Sequence, residues 1–294
     1  MRALIHGRAF ARVSELSREF GVSAVTVRGD LDALEAEGGI RRIRGGAMPF
    51  DATRLVERSF EEAAVESAEA KARIAAAAAD LIEPGMSVLL DVGTTTAAVA
   101  RELLRREALS DVTVLTSGLS IALLLEAAIP RLQVVVTGGT LRPLQHSLVA
   151  PLAGLVIGRV HADLALIGCN GVEAVAGVTN INLPEAEIKA AMISAAARTV
   201  VVADGSKIGR VHLGQITSAS AVDVLITDTT APGDAVADLR ALEGPRVILA
   251  LHSQSTAESF LILPAFEQRV DSRTFSSNEV SFLRYSRRPA FPSI

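Results

Sequence analysis

The strongest structural signal in this chain is the stretch VSELSREFGVSAVTVR, residues 13–28. Ser14 is placed to cap a short helix, and Gly21 follows where a left-handed residue often ends one. Ser23 is placed to cap a second helix, in which Val27 begins a run of apolar residues at helical spacing. Two short helices around a tight turn are the pattern of a helix-turn-helix.

The second helix and the residues after it offer groups that suit DNA. The N-terminal turn of such a helix meets base edges and phosphates in the major groove. Residues 40–46, IRRIRGG, alternate apolar and basic residues as a short wing would, and arginine pairs with phosphate through two nitrogens. An ordinary helical hairpin with an arginine-rich turn is the alternative. The candidate DNA-binding residues are Ser23, Ala24, Thr26, Arg28, Arg41, Arg42 and Arg44.

The order of these residues resembles the DNA-binding half of the DeoR family of bacterial transcriptional repressors. The residues that carry the resemblance are 13–23, Thr26-Val27-Arg28, Asp30-Leu31, Leu34, Arg41-Arg42 and Gly45-Gly46-Ala47. The chain departs from the family at Gly29, where a second basic residue is usual, and a glycine inside a helix costs about 1 kcal/mol relative to alanine. The helix before Val13 is also short. We therefore expect weaker DNA binding than is usual for the family.

Charge and composition fit a small basic module on an acidic body. The chain has a formal net charge of −4, yet residues 1–50 carry eight arginines against six acidic residues. That asymmetry also arises by chance in short segments. The single cysteine, Cys169, excludes an intrachain disulfide, which suits a reducing compartment. Because no apolar run reaches the roughly 18 residues of a membrane span, we expect a soluble, cytoplasmic protein with no membrane partner.

The rest of the chain alternates short β-branched runs with helical patterns. We expect a linker and connecting helix at residues 51–71, after a DNA-binding domain at 1–50, and a sensing domain at 72–252. This alternation predicts a mostly parallel α/β sheet, with its ligand site at the carboxyl ends of the strands. The predicted strands are 87–92, 113–116, 133–137, 163–168, 199–204, 222–228 and 246–251.

Polar, glycine-bearing segments follow several of these strands. In residues 91–96, DVGTTT, glycine allows close approach, the threonines donate, and the start of a helix supplies free N–H groups for a phosphate. Simple helix capping is the alternative. Lys207 is one of three lysines against 26 arginines, and suits either a ligand contact or the solvated surface. Glu185 and Lys189 also fit a surface ion pair. The candidate effector-binding residues are Asp91, Gly93, Thr94, Thr95, Thr96, Thr116, Ser117, Gly138, Gly139 and Lys207.

From residue 60 to residue 251 the order of motifs is similar to the sensor half of the DeoR family, whose fold resembles ribose-5-phosphate isomerase and glucosamine-6-phosphate deaminase. The resemblance implies a phosphosugar held by residues 91–96, the Gly138-Gly139 turn and Lys207. We therefore predict a DNA-binding transcription regulator, a repressor of a sugar-metabolism operon. Its expected partners are double-stranded operator DNA, a phosphorylated sugar effector and further copies of the chain.

A sugar-phosphate isomerase or deaminase with an unusual N-terminus is the alternative. The related isomerases carry paired acids, Asp-Gly-Ala-Asp-Glu, where residues 168–172 read GCNGV, and isomerisation needs a general base. Five scattered histidines and one cysteine show no metal-ligand spacing, so we expect no metal, no cofactor and no catalytic residues. The tail at residues 253–294 holds five of the nine phenylalanines; disorder, a partner-binding extension and a translated frame change remain open.

Overall fold

The computed structural model of the chain describes residues 1–6, 10–43, 45–49 and 57–251. The tail at 253–294, residues 51–56 of the expected linker and the candidate DNA-binding residue Arg44 lie outside the described residues. We call the described residues up to 49 the reading head. Its elements are α1 (Arg2–His6), β1 (Ala11–Arg12), α2 (Val13–Phe20), α3 (Ala24–Ala36), β2 (Ile40–Ile43) and β3 (Gly46–Pro49).

The two helices predicted from residues 13–28 are confirmed, together with the turn between them. Gly21 ends α2 with a φ of 62° and donates its amide to the carbonyl oxygen of Ser17, as expected of a left-handed cap. Ser23 precedes α3, and its hydroxyl accepts a hydrogen bond from the Thr26 amide at 3.1 Å. The turn chemistry of the sequence is therefore sufficient to place both helix ends.

The predicted N-terminal cap of α2 is wrong by two residues. The cap residue is Arg12, whose amide donates to the Glu15 carboxylate at 3.2 Å. Ser14 accordingly lies inside the helix. The Glu15 carboxylate, at the third helical position, accepts from the amide of the cap residue, as the carboxylate of a capping box does.

The predicted wing is confirmed as an antiparallel sheet in the order β1-β3-β2. Arg42 lies opposite Ala47, and Ile43 lies opposite Gly46. The wing packs on the helices through one small apolar core. The fully or nearly fully buried members of that core are Ile5, Ala11, Val13, Leu16, Val27, Leu31, Ile40 and Ala47.

The remaining described residues, 57–251, form what we call the body. Its first elements are α4 (Phe60–Val65), α5 (Ala68–Ala79), β4 (Ser87–Leu90), α6 (Thr94–Arg105), β5 (Val112–Thr116), α7 (Leu119–Leu125), β6 (Leu132–Val136), β7 (Thr140–Arg142), β8 (Ser147–Val149), α8 (Leu152–Ile157) and β9 (Ala162–Gly168). They are followed by β10 (Gly171–Glu173), β11 (Gly177–Asn180), α9 (Leu183–Ser194), β12 (Ala196–Val202), β13 (Gly214–Thr217), β14 (Val224–Asp228), α10 (Gly233–Arg240) and β15 (Arg246–Ala250).

The predicted parallel sheet is confirmed, with the strand order β15-β14-β12-β9-β4-β5-β6. Every described pairing in it is parallel; Val88 of β4, for example, lies between Val114 of β5 and Leu164 of β9. Helices α5, α6 and α7 contribute to the apolar core on one face, and α8, α9 and α10 to the core on the other. Buried strands covered on both faces explain the nearly continuous apolar runs in the sequence.

The order of the strands reverses between β4 and β9, since the chain moves one way from β4 to β6 and the other way from β9 to β15. Such a switch point opens a crevice at the carboxyl ends of the strands, where ligands bind in open α/β sheets. Two smaller sheets border it: the β7-β8 hairpin and an antiparallel sheet in the order β10-β11-β13. None of the helices in the described ranges is both long and apolar enough to cross a membrane.

Candidate functional site

A cavity of about 740 Å³ lies at the switch point, and we call it the main cavity. Its volume falls within the range of sites that enclose small organic ligands. Residues 92–96 line one side of it, after the end of β4, and residues 168–170 line another, at the end of β9. The location at the carboxyl ends of the strands is the one that the parallel sheet predicts.

The start of α6 supplies one wall of the main cavity. Gly93 precedes the helix with a φ of 135°, which a side chain would strain. Thr94, Thr95 and Thr96 form the first helical turn and line the cavity. The first N–H groups of a helix have no partner within it and carry positive potential. This turn can therefore accept an anionic group such as a phosphate.

All three lysines of the chain line the main cavity. Lys71 comes from the first turn of α5, Lys189 from the middle of α9, and Lys207 from the short turn after β12. Lys207 was predicted from the sequence to contact the effector, whereas Lys71 and Lys189 were not. The only signal for them was the rarity of lysine in a chain that otherwise uses arginine.

Two of these lysines, Lys71 and Lys207, lie close enough for their charges to interact. Burial lowers the pKa of Lys71, the carboxylate of Asp204 opposes that shift, and the charge of Lys207 lowers the pKa further. The Lys71 ammonium donates to the carbonyl oxygens of Ala63 and Glu66 at 2.6 and 2.7 Å. The Lys207 ammonium makes no hydrogen bond or ion pair within the described ranges. An anion between the two lysines would relieve their repulsion.

The third lysine pairs with a carboxylate beneath the cavity. Asp91 is fully buried after β4, and one of its oxygens accepts hydrogen bonds from the Gly168 amide at 2.9 Å and from the Lys189 ammonium. Burial raises the pKa of Asp91, against the opposing charge of Lys189. Burial alone would lower the pKa of Lys189, but the carboxylates of Asp91 and Glu185 outweigh it and raise that pKa. Asp91 thus holds Lys189 rather than lining the cavity itself.

The interpretation of Glu185 and Lys189 as a surface pair is wrong, because their residues are only 5% and 3% exposed. Glu185 lines the main cavity and accepts a hydrogen bond from the Ser147 hydroxyl at 2.6 Å. It also pairs with Arg142, whose guanidinium binds Glu57 at 2.6 Å. These contacts join α9 and the β7-β8 hairpin to the segment that leads from the reading head.

Besides Asp91, four of the predicted effector-binding residues do not line the main cavity: Thr116, Ser117, Gly138 and Gly139. The Thr116 hydroxyl accepts from the Gly118 amide at 3.0 Å, and Ser117 is buried beside it. Gly138 and Gly139 connect β6 to β7, and a Cβ on Gly139 would lie 2.3 Å from the carbonyl oxygen of Val149. At Gly139, therefore, glycine is required by the close approach of two strands. The cavity instead includes residues that we did not predict, among them Asn170, Asn180, Ser206, Arg210 and His212.

The predicted DNA-binding residues are arranged on α3 and the wing. Ser23, Thr26 and Arg28 are exposed at the start of α3, and Ala24 is half-buried beside them. Arg41 and Arg42 are half-buried on β2. The Arg42 guanidinium pairs with Asp32 in α3, and such an exposed pair contributes little to stability. The described body therefore does not bury the N-terminal turn of α3.

Comparisons with known proteins agree with both halves of this arrangement. The family model of a DeoR-like helix-turn-helix domain matches residues 1–53, and that of the DeoR C terminal sensor domain matches residues 66–229. A putative aga operon transcriptional repressor from Escherichia coli O157:H7 is 37% identical, over 81% of this chain and 87% of that protein. The transcriptional regulator GlpR from Haloferax volcanii is 37% identical over 76% and 85% of the two chains. The glycerol-3-phosphate regulon repressor of Escherichia coli K12 is 28% identical over 78% and 88%.

Solved structures give more distant similarities. The probable sor operon regulator from Shigella flexneri has a TM-score of 0.37 and 16% identity, over 63% of this chain and 92% of that one. Ribose 5-phosphate isomerase from Methanocaldococcus jannaschii has a TM-score of 0.36 and 22% identity, over 48% and 55%. Among the described residues, no group of three histidine, cysteine or acidic side chains is arranged to hold a metal ion.

Proposed function

This chain belongs to the DeoR family of transcriptional regulators, and we propose from that premise that it represses a sugar-metabolism operon in response to a phosphorylated sugar. The observation that carries the proposal is the convergence of all three lysines and the start of α6 on one cavity. That set of groups suits a ligand with a phosphate at one end and hydroxyl groups at the other. The relatives named for the aga operon and the glycerol-3-phosphate regulon support the same ligand class.

The phosphate would lie at the start of α6, between Lys71 and Lys207. Charge-assisted hydrogen bonds from ammonium groups and helix amides are stronger than neutral ones. The hydroxyl groups would meet Lys189, Asn170 and Asn180, which also line the main cavity. Five of the predicted effector-binding residues keep a direct place in this proposal, and Asp91 acts through Lys189. The five are Gly93, Thr94, Thr95, Thr96 and Lys207.

DNA would be bound by the reading head. Exposed groups at the start of α3 would meet base edges, and the arginines of the wing would meet phosphates. We propose the division into a DNA-binding domain at residues 1–50, a linker and connecting helix at 51–71 and a sensing domain at 72–252. A protein that binds an operator would act in the cytoplasm. The residues proposed for DNA contact are Ser23, Ala24, Thr26, Arg28, Arg41, Arg42 and Arg44.

The protein would act as a homo-oligomer, since two-fold operators mirror two-fold proteins. Several large apolar side chains near the β6 edge of the described sheet and on α8 are exposed, as expected of a surface that another copy covers. Light scattering at micromolar concentration should give at least a dimer, and a monomer would contradict this part of the proposal. These exposed residues are Leu123, Ile129, Val136, Leu141, Leu144, Leu152 and Leu155.

The test of the effector is a thermal-shift screen of the full chain. The panel contains ribose 5-phosphate, glucosamine 6-phosphate and glycerol 3-phosphate, with each unphosphorylated parent and inorganic phosphate as controls. A ligand at 100 times its dissociation constant adds about 2.7 kcal/mol to the free energy of unfolding. We expect a phosphorylated compound to raise Tm and its parent to have no effect. Stabilisation by the parents alone would overturn the proposed ligand class.

The isomerase or deaminase alternative is tested with the same compounds. Burial raises the pKa of Cys169 to about 12, so the thiol in the wall of the main cavity stays protonated and is a poor nucleophile. We expect ribose 5-phosphate and glucosamine 6-phosphate to be recovered unchanged after incubation. Turnover at ordinary enzymatic rates would favour the enzyme instead.

A further inference from the structure

One arginine of the reading head forms ion pairs with the body. Arg12 precedes α2, and its guanidinium donates to the Glu173 carboxylate of β10 at 2.6 Å and approaches the Asp238 carboxylate of α10 at 2.9 Å. The Arg12 side chain is 20% exposed and that of Glu173 is 6% exposed. Because this pair is largely removed from water, separating it would leave a partly buried carboxylate without its partner, which costs more than breaking an exposed ion pair.

The acceptor for Arg12 is fixed by the body itself. The second oxygen of Glu173 accepts hydrogen bonds from the amides of Val175 and Ala176, each at 2.7 Å. These two bonds hold the carboxylate in the turn between β10 and β11, whatever the position of the reading head. A preorganised acceptor spends little conformational entropy on binding, which favours a specific contact.

An apolar contact lies beside the ion pair. Phe10 of the reading head is buried together with Ala176 and Val211 of the body, and Ile43 and Met48 of the wing pack against them. Gly45 lies nearby, and a Cβ added to it would be 2.8 Å from the Val175 side chain. The contact between the reading head and the body thus combines a buried ion pair with buried apolar side chains, as specific interfaces do.

The contact between the reading head and the body adjoins the main cavity. Met48 of the wing lines the cavity together with Arg210, Val211 and His212 of the body. β10, which carries Glu173, begins directly after the cavity wall at residues 168–170. The chain after Lys207 is tied to the same strand, because the Gly209 amide donates to the carbonyl oxygen of Val172 at 2.7 Å. One strand therefore joins the cavity walls to the acceptor of the reading head.

We propose that the surface around Glu173 on β10, β11 and α10 is the docking site for the chain's own reading head, and that docking completes one wall of the main cavity. A ligand that contacts both walls binds the docked arrangement more tightly than the undocked one, so it couples effector binding to the position of the head. The docking itself does not depend on the identity of the ligand; its regulatory consequence rests on the proposed function.

The first experiment measures docking without a ligand, by pulsed electron paramagnetic resonance on the full chain. Spin labels are placed at Ala33→Cys in α3 and Glu243→Cys after α10, both exposed, in a Cys169→Ser background. The parent should give one narrow distance distribution. Glu173→Gln should broaden it, because the neutral amide loses the charge of the pair while its remaining oxygen can still accept from the Val175 and Ala176 amides.

The second experiment measures the completed wall through the native Cys169, which lines the main cavity. Loss of a charge-assisted hydrogen bond shifts an equilibrium by about tenfold or more. Because burial keeps the Cys169 thiol protonated, the wild type should react slowly with a thiol reagent. Glu173→Gln and Arg12→Gln should each raise that rate by about the same factor. The matched control is Glu102→Gln, which removes from α6 a carboxylate paired with Arg106 and should change neither readout.

The two variants also form a double-mutant cycle. If Arg12 and Glu173 act through each other, the double variant should react no faster than either single variant. An unchanged distance distribution in Glu173→Gln, with an unchanged rate at Cys169, would overturn the docking site. If the docking variants behave as expected while no phosphorylated sugar binds the wild-type chain, the proposed function fails and the docking site stands.

Discussion

Lys189 binds Asp91 and the carbonyl oxygen of Gly168 with the same ammonium group, the latter at 3.1 Å. This contact joins α9 to the ends of β4 and β9, the two strands between which the sheet order reverses. The pair is almost completely buried. Removing one partner of such a pair leaves an uncompensated charge and costs about 3–5 kcal/mol. The floor of the main cavity is therefore held by electrostatics as well as by packing.

The first prediction concerns the stability of this pair. Lys189→Met should lower the free energy of unfolding by about 3–5 kcal/mol near neutral pH, measured by urea denaturation. Adding Asp91→Asn should restore part of the loss, because the variant then buries no unpaired carboxylate. If Asp91→Asn lowered the free energy of unfolding by the same amount in Lys189→Met as in the wild type, loss of the Lys189–Asp91 pair would not explain the instability of Lys189→Met.

The pH dependence of Lys189→Met follows from the same pair. Burial raises the pKa of Asp91, and removal of Lys189 takes away the charge that opposes this shift. A carboxyl whose pKa in the folded state lies above its unfolded value, about 3.9, lowers the free energy of unfolding when it is ionised and does so less as it becomes protonated. The deficit of the variant relative to wild type should therefore shrink as pH falls toward 3.9. A deficit that widens with falling pH would contradict the assignment to Asp91.

The second prediction concerns the phosphate contact. Lys207→Ala should weaken binding of a phosphorylated sugar about 10- to 150-fold, measured by calorimetry, since a charge-assisted contact contributes about 1.5–3 kcal/mol. Tm should stay close to that of wild type, because the Lys207 ammonium has no partner within the described ranges. Arg198→Ala removes an exposed cation outside the cavity and is the matched control. If Lys207→Ala, Thr95→Ala and the wild type bound the phosphorylated sugar with equal affinity, the start of α6 would only cap the helix and would not bind the phosphate.

The third prediction concerns the departure at Gly29. A Cβ at this position would meet no described atom within 4 Å, so a larger residue fits. Gly29→Arg should bind operator DNA more tightly and with a steeper salt dependence, because it adds one phosphate contact. Gly29→Ala separates the two effects: it should stabilise α3 by about 1 kcal/mol and leave the salt dependence unchanged. Gel shifts with the chain's own promoter at several salt concentrations provide the measurement.

The fourth prediction concerns the arginines of the wing. Arg41→Ala and Arg42→Ala should each lower affinity for all DNA sequences and reduce the salt slope by about one unit. Asp32→Asn, which removes the carboxylate paired with Arg42, should act in the opposite direction by freeing the guanidinium. Gel shifts that show the same affinity for wild type and both arginine variants would remove the wing from the DNA interface.

The fifth prediction connects the docking site with the effector. Glu173→Gln should bring the factor by which a phosphorylated sugar changes operator affinity closer to one, because docking of the reading head, through which the sugar acts, is weaker in the variant. For the same reason, the affinity of the variant for the sugar should be lower than that of the wild type. Fluorescence anisotropy with labelled operator, with and without the sugar, measures the factor. A full response in Glu173→Gln would show that the effector acts by another route.

Much of the fold could be predicted from short segments because their hydrogen bonds are local. Gly21 and Ser23 place the ends of α2 and α3 through bonds within a few residues. Buried strands such as 163–168 are apolar throughout because helices cover both faces. Arg12 at the cap of α2, where we expected Ser14, shows the limit of this reasoning: the two candidate caps are two residues apart, and the Arg12 amide is the one that donates to the Glu15 carboxylate.

The sequence by itself determined the two kinds of domain, the parallel sheet and the helix start at residues 93–96, since each depends on local periodicity or turn chemistry. The tertiary structure alone decided which distant residues meet. Lys189 and Asp91 are 98 residues apart, and Arg12 and Glu173 are 161 residues apart. Such contacts follow from the order of strands in the sheet and from the packing of the reading head against β10. Neither is encoded in any one segment, because both are settled by the burial of many segments together.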